Sequence, residues 1–358
     1  MSKTVATLAI VLSSLVLDAS RRPLPAAAGA AASMAEVPAR LSDQQFWRLI
    51  EGSSEPGGYF RSENITNLTS NELWFQYVIP DLVARTRPGA VYLGVGPEQN
   101  FTYIAAVKPK LAVIFDIRRG NLDLQLMYKA LFELSADRAD FVSKLFARSR
   151  PAGLSPSSTA IDVFRAVGAL PASEAVYTRT LQAIETHLTK THAFPVPQDD
   201  LAGVRLIYEM FYRNGFAVRA SPTYADLMTA TDQAGVSRGY LADEASFQVM
   251  KDLESRNLVV PVVGDFGGPK AIRAIGAYLR SIGGTVSAFY LSNVEQYLVQ
   301  DGKWDTFCHN VAALPLDATS TFIRSSSGGG GGGGFGRGFV SSLGAMQAET
   351  QGCAARTP

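Results

Sequence analysis

Cysteine, histidine and net charge are all scarce in this chain, and each scarcity removes a class of function. Cysteine occurs twice in 358 residues, as Cys308 and Cys353. No zinc-type cysteine spacing is present and no disulfide framework is expected; Cys353 falls in a C-terminal stretch that reads as disordered. Histidine occurs three times. His187 and His192 share "HLTKTH" at a spacing of five, whereas two ligands on one α-helical face need three or four. The pair reads as a polar helix end and no metal is expected. No G-x-S-x-G elbow accompanies His309, so hydrolase chemistry is not expected, and that side chain in "WDTFCHNVAAL" reads as packed or capping. The net charge is only +1, which gives no global electrostatic case for nucleic acid or an acidic membrane. No nucleic-acid partner is expected.

What is present begins with a different kind of segment. Lys3 precedes a thirteen-residue apolar run over residues 5–17, followed by "PAAAGAAAS". The pattern is that of a secretory signal peptide over residues 1–33, and the run is short for a membrane span. Export to a periplasmic or extracellular space follows, with no span after cleavage. Arg21 and Arg22 behind the run argue the other way, because positive charge there resists export. The competing explanation is a misplaced start codon, under which the protein is cytoplasmic.

The globular domain is expected over residues 34–324. "SDQQFWRLIEG" opens a helix on a capping serine, and "PGAVYLGVG" is a strand entered from a Pro-Gly turn. "NFTYIAAV" is a short helix that ends at Pro109, and "KLAVIFDIRR" is a second strand, continuously apolar as expected when both faces are covered. Residues 121–150 carry leucine and phenylalanine at helical intervals, enough for one long helix or two. Residues 151–215 hold three more helical patterns without strand alternation and read as a helical insertion. "LVVPVVGDFGG" and "TVSAFYLSN" are the third and fourth strands, each followed by a helix. Residues 325–358, with seven consecutive glycines, read as a Gly/Ser-rich disordered tail. Repeated strand–helix–strand units predict an α/β fold with a doubly wound, mostly parallel sheet.

Such sheets bind ligands beyond the carboxyl ends of their strands. In "LGVGPEQN", Gly94 and Gly96 allow a tight corner and a close approach of backbone to ligand. The dinucleotide pattern G-x-G-x-x-G fails there, and Glu98 puts a negative charge where a pyrophosphate would lie, so NAD is not expected. Asp116 ends the second strand, twenty-two residues beyond Gly94, a spacing used to grip ribose hydroxyls; an N-cap or an ion pair with Arg118 or Arg119 is its plain alternative. Asp265 and Phe266 follow the third strand, where a carboxylate can orient an amine and a ring can pack on a base; ordinary loop chemistry is the alternative. Ser292, Asn293 and Glu295 at the fourth strand end are explained by helix capping or by ligand contact. In "RSENITNLTSNE", Asn64, Ser70, Asn71 and Glu72 form a polar cluster that could fold over a pocket or simply start a helix.

Taken together, "SENITNLTSNE", "YLGVGPEQNFTYIAAVKPKLAVIFDIRR", "MYKALFELSADRADFVSKLF", "VGDFGG" and "FYLSNVEQYL" resemble an uncharacterised bacterial protein family with a class I S-adenosylmethionine-dependent methyltransferase-like (Rossmann-like) fold. The resemblance covers residues 42–324 and implies a seven-stranded type of sheet. It also implies a cleft for S-adenosyl-L-methionine, with Gly94, Gly96, Glu98, Asp116, Asp265 and Phe266 on the cofactor side. Asn71, Glu72, Asn293 and Glu295 then face a small-molecule substrate. Tyr92 and Glu98 stand where methyltransferases of this class commonly have an acid and a third glycine. The function expected is a methyltransferase acting on a small molecule; the alternative is an exported binding protein that kept the fold without the chemistry.

Overall fold

A computed structural model describes residues 36–58, 65–327 and 339–354. The expected signal segment, Asn64 and the glycine run lie outside these residues.

The four strands expected from apolar runs are present: β1 (Val91–Val95), β2 (Leu111–Asp116), β3 (Val259–Val263) and β4 (Val286–Ser292). Two more follow, β5 (Leu316–Ser327) and β6 (Phe339–Ala345). Among the described residues they form one six-stranded sheet in the order β3-β2-β1-β4-β5-β6, one strand fewer than the seven-stranded type that the resemblance implies. The first five are mutually parallel and β6 runs antiparallel to β5. The fold is therefore α/β, with a mostly parallel sheet flanked by helices. Every residue of β2 and β3 is buried, as a strand covered on both faces requires. Pro261 sits in the middle of β3 and is tolerated because β3 is an edge strand, bonded only to β2. Its free edge is met by the chain after the first helix: Glu55 N donates to Val263 O at 2.8 Å and Val263 N to Ser54 Oγ at 3.1 Å.

Between β2 and β3 the chain is helical. The expected long segment is two helices, Arg119–Leu134 and Arg138–Leu145, separated where Asp137 caps the second through Asp140 N at 2.7 Å. Helices Ala160–Gly168, Glu174–Thr186 and Gln198–Asn214 make up the insertion. It shares one hydrophobic core with the sheet layer, joined by rings such as Phe101, Tyr128, Phe132, Phe141 and Phe211 packed edge or face together.

Two expectations are corrected. Beyond the glycine run, the stretch expected to be a disordered tail carries β6 and a helix, Met346–Ala354, whose Met346 is fully buried. Cys353 on that helix is bonded to Cys308 on helix Trp304–Ala312. These are long-range pairings, which no local sequence pattern announces. The helical-spacing argument against His187 and His192 also fails. Residues His187–Thr191 form a π turn, closed by His192 N on His187 O at 3.0 Å, so a spacing of five places both imidazoles on one side.

Candidate functional site

Strand order reverses between β1 and β4, since β2 and β3 lie to one side of β1 and β4 and β5 to the other. A cavity of about 400 Å³ opens at the carboxyl ends of the strands at this switch. Its walls come from the corner after β1 (Gly96, Pro97), the end of β2 (Asp116, Arg118), the loop after β3 (Asp265, Phe266) and the end of β4 (Tyr290, Asn293).

The corner is built by Gly96 and held by Asn100. Gly96 has φ +79°, a conformation that suits glycine, and a Cβ built there would meet nothing within 4 Å. Asn100 Nδ2 donates to Val95 O at 2.9 Å and to Pro97 O at 2.7 Å, and its Oδ1 accepts from Tyr92 Oη at 2.8 Å. Asn100, one residue beyond the last position of the failed G-x-G-x-x-G pattern, thus carries a side chain that satisfies the turn's own carbonyls. Gly94 is a different matter, and its assignment to the ligand is corrected. A Cβ there would fall 1.9 Å from Asn100 Oδ1, so this glycine makes room for the corner's brace and does not line the cavity.

Glu98 is also reassigned. It is fully buried and lies outside the cavity lining, accepting from Ser70 N at 3.0 Å and 3.3 Å on its two oxygens. Burial pushes its carboxyl up to about 7, against the opposing pull of the Ser70 bond and the Arg219 charge. Its work is to fasten the segment that brings Asn71 and Glu72 to the cavity. Glu72 is 1% exposed and sits at the centre of a polar network. Its Oε2 accepts from Gln99 Nε2 at 2.7 Å and from Ser325 Oγ, and its Oε1 accepts from Ser292 Oγ. Asn293 stands at the N-cap of the following helix but makes no side-chain capping bond. Ser292, at φ +51°, turns its hydroxyl to Glu72. Glu295 lies outside the cavity lining and pairs with Arg324 at 3.0 Å, which also holds Glu349 of the last helix at 2.7 Å; its expected ligand contact is corrected to a structural one.

Asp116 and Asp265 both line the cavity, and both have protein partners. Arg118 grips Asp116 with Nε at 3.0 Å and a second guanidinium nitrogen at 2.7 Å, the ion pair weighed from the sequence. Asp265 accepts from Gly267 N at 2.9 Å and from Lys303 Nζ. That bond to Asp265 raises the Lys303 ammonium above its ordinary range. Phe266 is 3% exposed and packs edge-on to Phe289, while Asn310 Nδ2 holds its carbonyl at 2.9 Å. Asp116 also accepts from Arg118 N at 2.9 Å, so it has room for about one further donor and Asp265 for about two, since an ionised carboxylate accepts about four. Sequence reading passed over Tyr290, Tyr297, Lys303 and Phe339 as lining residues. Their only signal is adjacency to a strand end or, for Lys303, the start of a helix; Phe339 arrives through the long-range β5–β6 pairing.

Among the described residues, the lining contains no histidine or cysteine. Its polar groups are carboxylates, amides, hydroxyls, Arg118 and Lys303, with the Ser292 hydroxyl donating to Glu72. His309 stands apart, its Nδ1 on Asp305 O at 2.7 Å within its own helix. No curated protein is significantly similar to the chain. Residues 64–336, most of its length, match the family model described as Domain of unknown function (DUF7790), and the chain belongs to that family.

Proposed function

We propose that the cavity binds S-adenosyl-L-methionine and that the protein is a methyltransferase-like enzyme acting on a small molecule, with a class I methyltransferase type of fold. One observation carries the reading: the open glycine corner at Gly96 and the carboxylate of Asp116 line one cavity at the β1/β4 switch point. The group fits the residues present. Gly96 offers bare backbone, Glu98 lies outside the cavity lining, and the four lining carboxylates Glu72, Asp116, Asp265 and Asp301 outnumber Arg118 and Lys303, an excess that suits a ligand with a sulfonium and an amine. Asp116 would take one ribose hydroxyl on its remaining lone pair, Asp265 and Phe266 would face the adenine, and Asn71 and Asn293 would lie toward the substrate. Bound there, the cofactor supplies an electrophilic methyl group. The protein's part is in-line positioning, which needs no catalytic triad.

The disulfide favours a second reading. Cys308–Cys353 belongs to an oxidising compartment, whereas S-adenosylmethionine is made in the cytoplasm. An exported protein that binds another metabolite in the same cavity is consistent with both. Titration calorimetry of the full chain against S-adenosylmethionine and its demethylated product separates the two. The first reading expects heat from at least one, reduced tenfold or more in Asp116→Asn. Silence at millimolar ligand, with a non-adenosyl metabolite copurifying by mass spectrometry, replaces it with the second.

A further inference from the structure

Away from the cavity, Glu133, His187 and His192 bring one donor atom each to a common point, all within 4.8 Å of one another. Glu133 lies in the last turn of helix Arg119–Leu134; His187 opens the π turn and His192 follows it. Both Nε2 atoms rest on the same oxygen, Glu133 Oε2, at 2.7 Å and 2.8 Å. Two imidazole nitrogens and a carboxylate oxygen are a donor set suited to borderline-soft divalent ions such as zinc. The side chains are 10–14% exposed, so the cluster is not sealed from water.

The surroundings hold these donors in place. His192 Nδ1 faces Asp43 Oδ1 at 2.7 Å, and that oxygen is held in turn by Asn257 Nδ2 at 2.8 Å. A carboxylate behind a ligating imidazole fixes its tautomer and orientation, which is the usual outer arrangement around a metal-bound histidine. The His192 ring lies flat on Phe194, 4.7 Å between centroids and 4° between planes, and stands edge-on to His187. Glu133 Oε1 is occupied by Lys129 Nζ at 2.7 Å, so Oε2 is the oxygen available to an ion. The carbonyl end of the helix adds a favourable field for a cation. The π turn is the second independent feature: such turns are rare and concentrate at functional sites, and here the turn is what makes a five-residue spacing converge.

We propose that Glu133, His187 and His192 form a binding site for a divalent cation of the zinc class. The ion takes the place of the two Nε2 protons, keeps His192 Nδ1–H on Asp43, and completes its shell with water. The Lys129 ammonium opposes a second cation, so the expected affinity is micromolar and not that of a closed structural zinc site.

The test uses the full chain, stripped with a chelator and titrated with Zn²⁺ against a chromogenic competitor. One equivalent per chain is expected, with a rise in Tm on loading. Affinity should fall tenfold or more in His187→Gln and in Glu133→Gln. A wild-type chain that takes up no equivalent, or variants that bind as tightly as wild type, overturns the site. Should either variant fail to fold, the Co²⁺-loaded wild type decides by proton NMR. Two exchangeable imidazole N–H signals shifted by the paramagnetic ion support the proposal, and fewer than two overturn it.

Discussion

Replacing Glu98 by glutamine should make the protein more resistant to unfolding as pH rises, and by a calculable amount. Glu98 is fully buried, and its pKa is pushed from an ordinary 4.5 to about 7 chiefly by loss of solvation. In the unfolded chain the carboxyl loses its proton near 4.5, while in the folded chain it keeps it until about 7. Between those values the unfolded state binds fewer protons, so wild-type stability falls as pH rises across that window and levels off above it. A gap of about 2.5 units, at about 1.4 kcal/mol per unit, gives a loss of about 3 kcal/mol relative to a side chain that does not titrate. Glutamine is nearly isosteric, and its Oε1 can still accept from Ser70 N, which Glu98 now does at 3.0 Å. Urea unfolding of both chains at several pH values, followed by tryptophan fluorescence, isolates the effect, because groups not coupled to Glu98 cancel in the difference. The stability difference should move in favour of the variant by about 3 kcal/mol between about pH 4.5 and about pH 7 and then stay flat. A difference that does not change with pH would show that Glu98 ionises as it does in water. One that changes in the opposite direction would show that Arg219 outweighs burial. Either result refutes the account of how this acid fastens the loop bearing Asn71 and Glu72.

Gly94→Ala should cost about 2–3 kcal/mol in urea unfolding because its Cβ would strike Asn100 Oδ1, while Gly96→Ala should cost only the roughly 1–2 kcal/mol of a left-handed alanine; equal costs would contradict the division of labour between them. Opening Cys308–Cys353 by Cys353→Ser frees a closure of 45 residues and should lower stability by about 4 kcal/mol, with the same fall on adding reductant to wild type; insensitivity to both would remove the disulfide from the argument. Arg138 is 2% exposed and donates to Leu241 O at 2.8 Å, Ala242 O at 2.7 Å and Ser158 O, so Arg138→Met should cost about 3–5 kcal/mol in thermal or urea melts, and a cost under about 1 kcal/mol would mean these carbonyls find water.

How far the sequence could be read depended on whether a contact is written locally. β1 to β4 are announced by runs such as "LAVIF" because strands covered on both faces must be apolar throughout. β5, "LDATSTFIRSSS", is not, since most of it is hydroxyl and charged residues. Those hydroxyls have buried uses that no spacing reveals: Ser320 Oγ donates to Val286 O, and Ser325 Oγ to Glu72. β6 and the disulfide depend on pairings across a glycine run, with the same result. In the site, the corner at Gly96 and the acid at Asp116 were legible because each follows a recognisable strand. Gly94, Glu98 and Glu295 were misplaced because their partners, Asn100, Ser70 and Arg324, decide which way they face.

One helix ties the two proposed sites together and also keeps them apart. Helix Arg119–Leu134 begins beside Arg118 at the cavity wall and carries Glu133 in its last turn. The fourteen residue steps from Arg119 to Glu133, at about 1.5 Å each, put roughly 20 Å of helix between them. A cation held by Glu133, His187 and His192 therefore cannot touch a ligand near Asp116, and metal-assisted chemistry in the cavity does not follow from it. What the cation can do is clamp the helix's far end to the insertion and, through Asp43, to the helix that begins the described domain. Asn257, just before β3, bonds the same Asp43 oxygen, so the clamp also bears on the strand whose far end presents Asp265 and Phe266. Stability of the frame around the cavity, not the reaction inside it, is the property such an ion would govern.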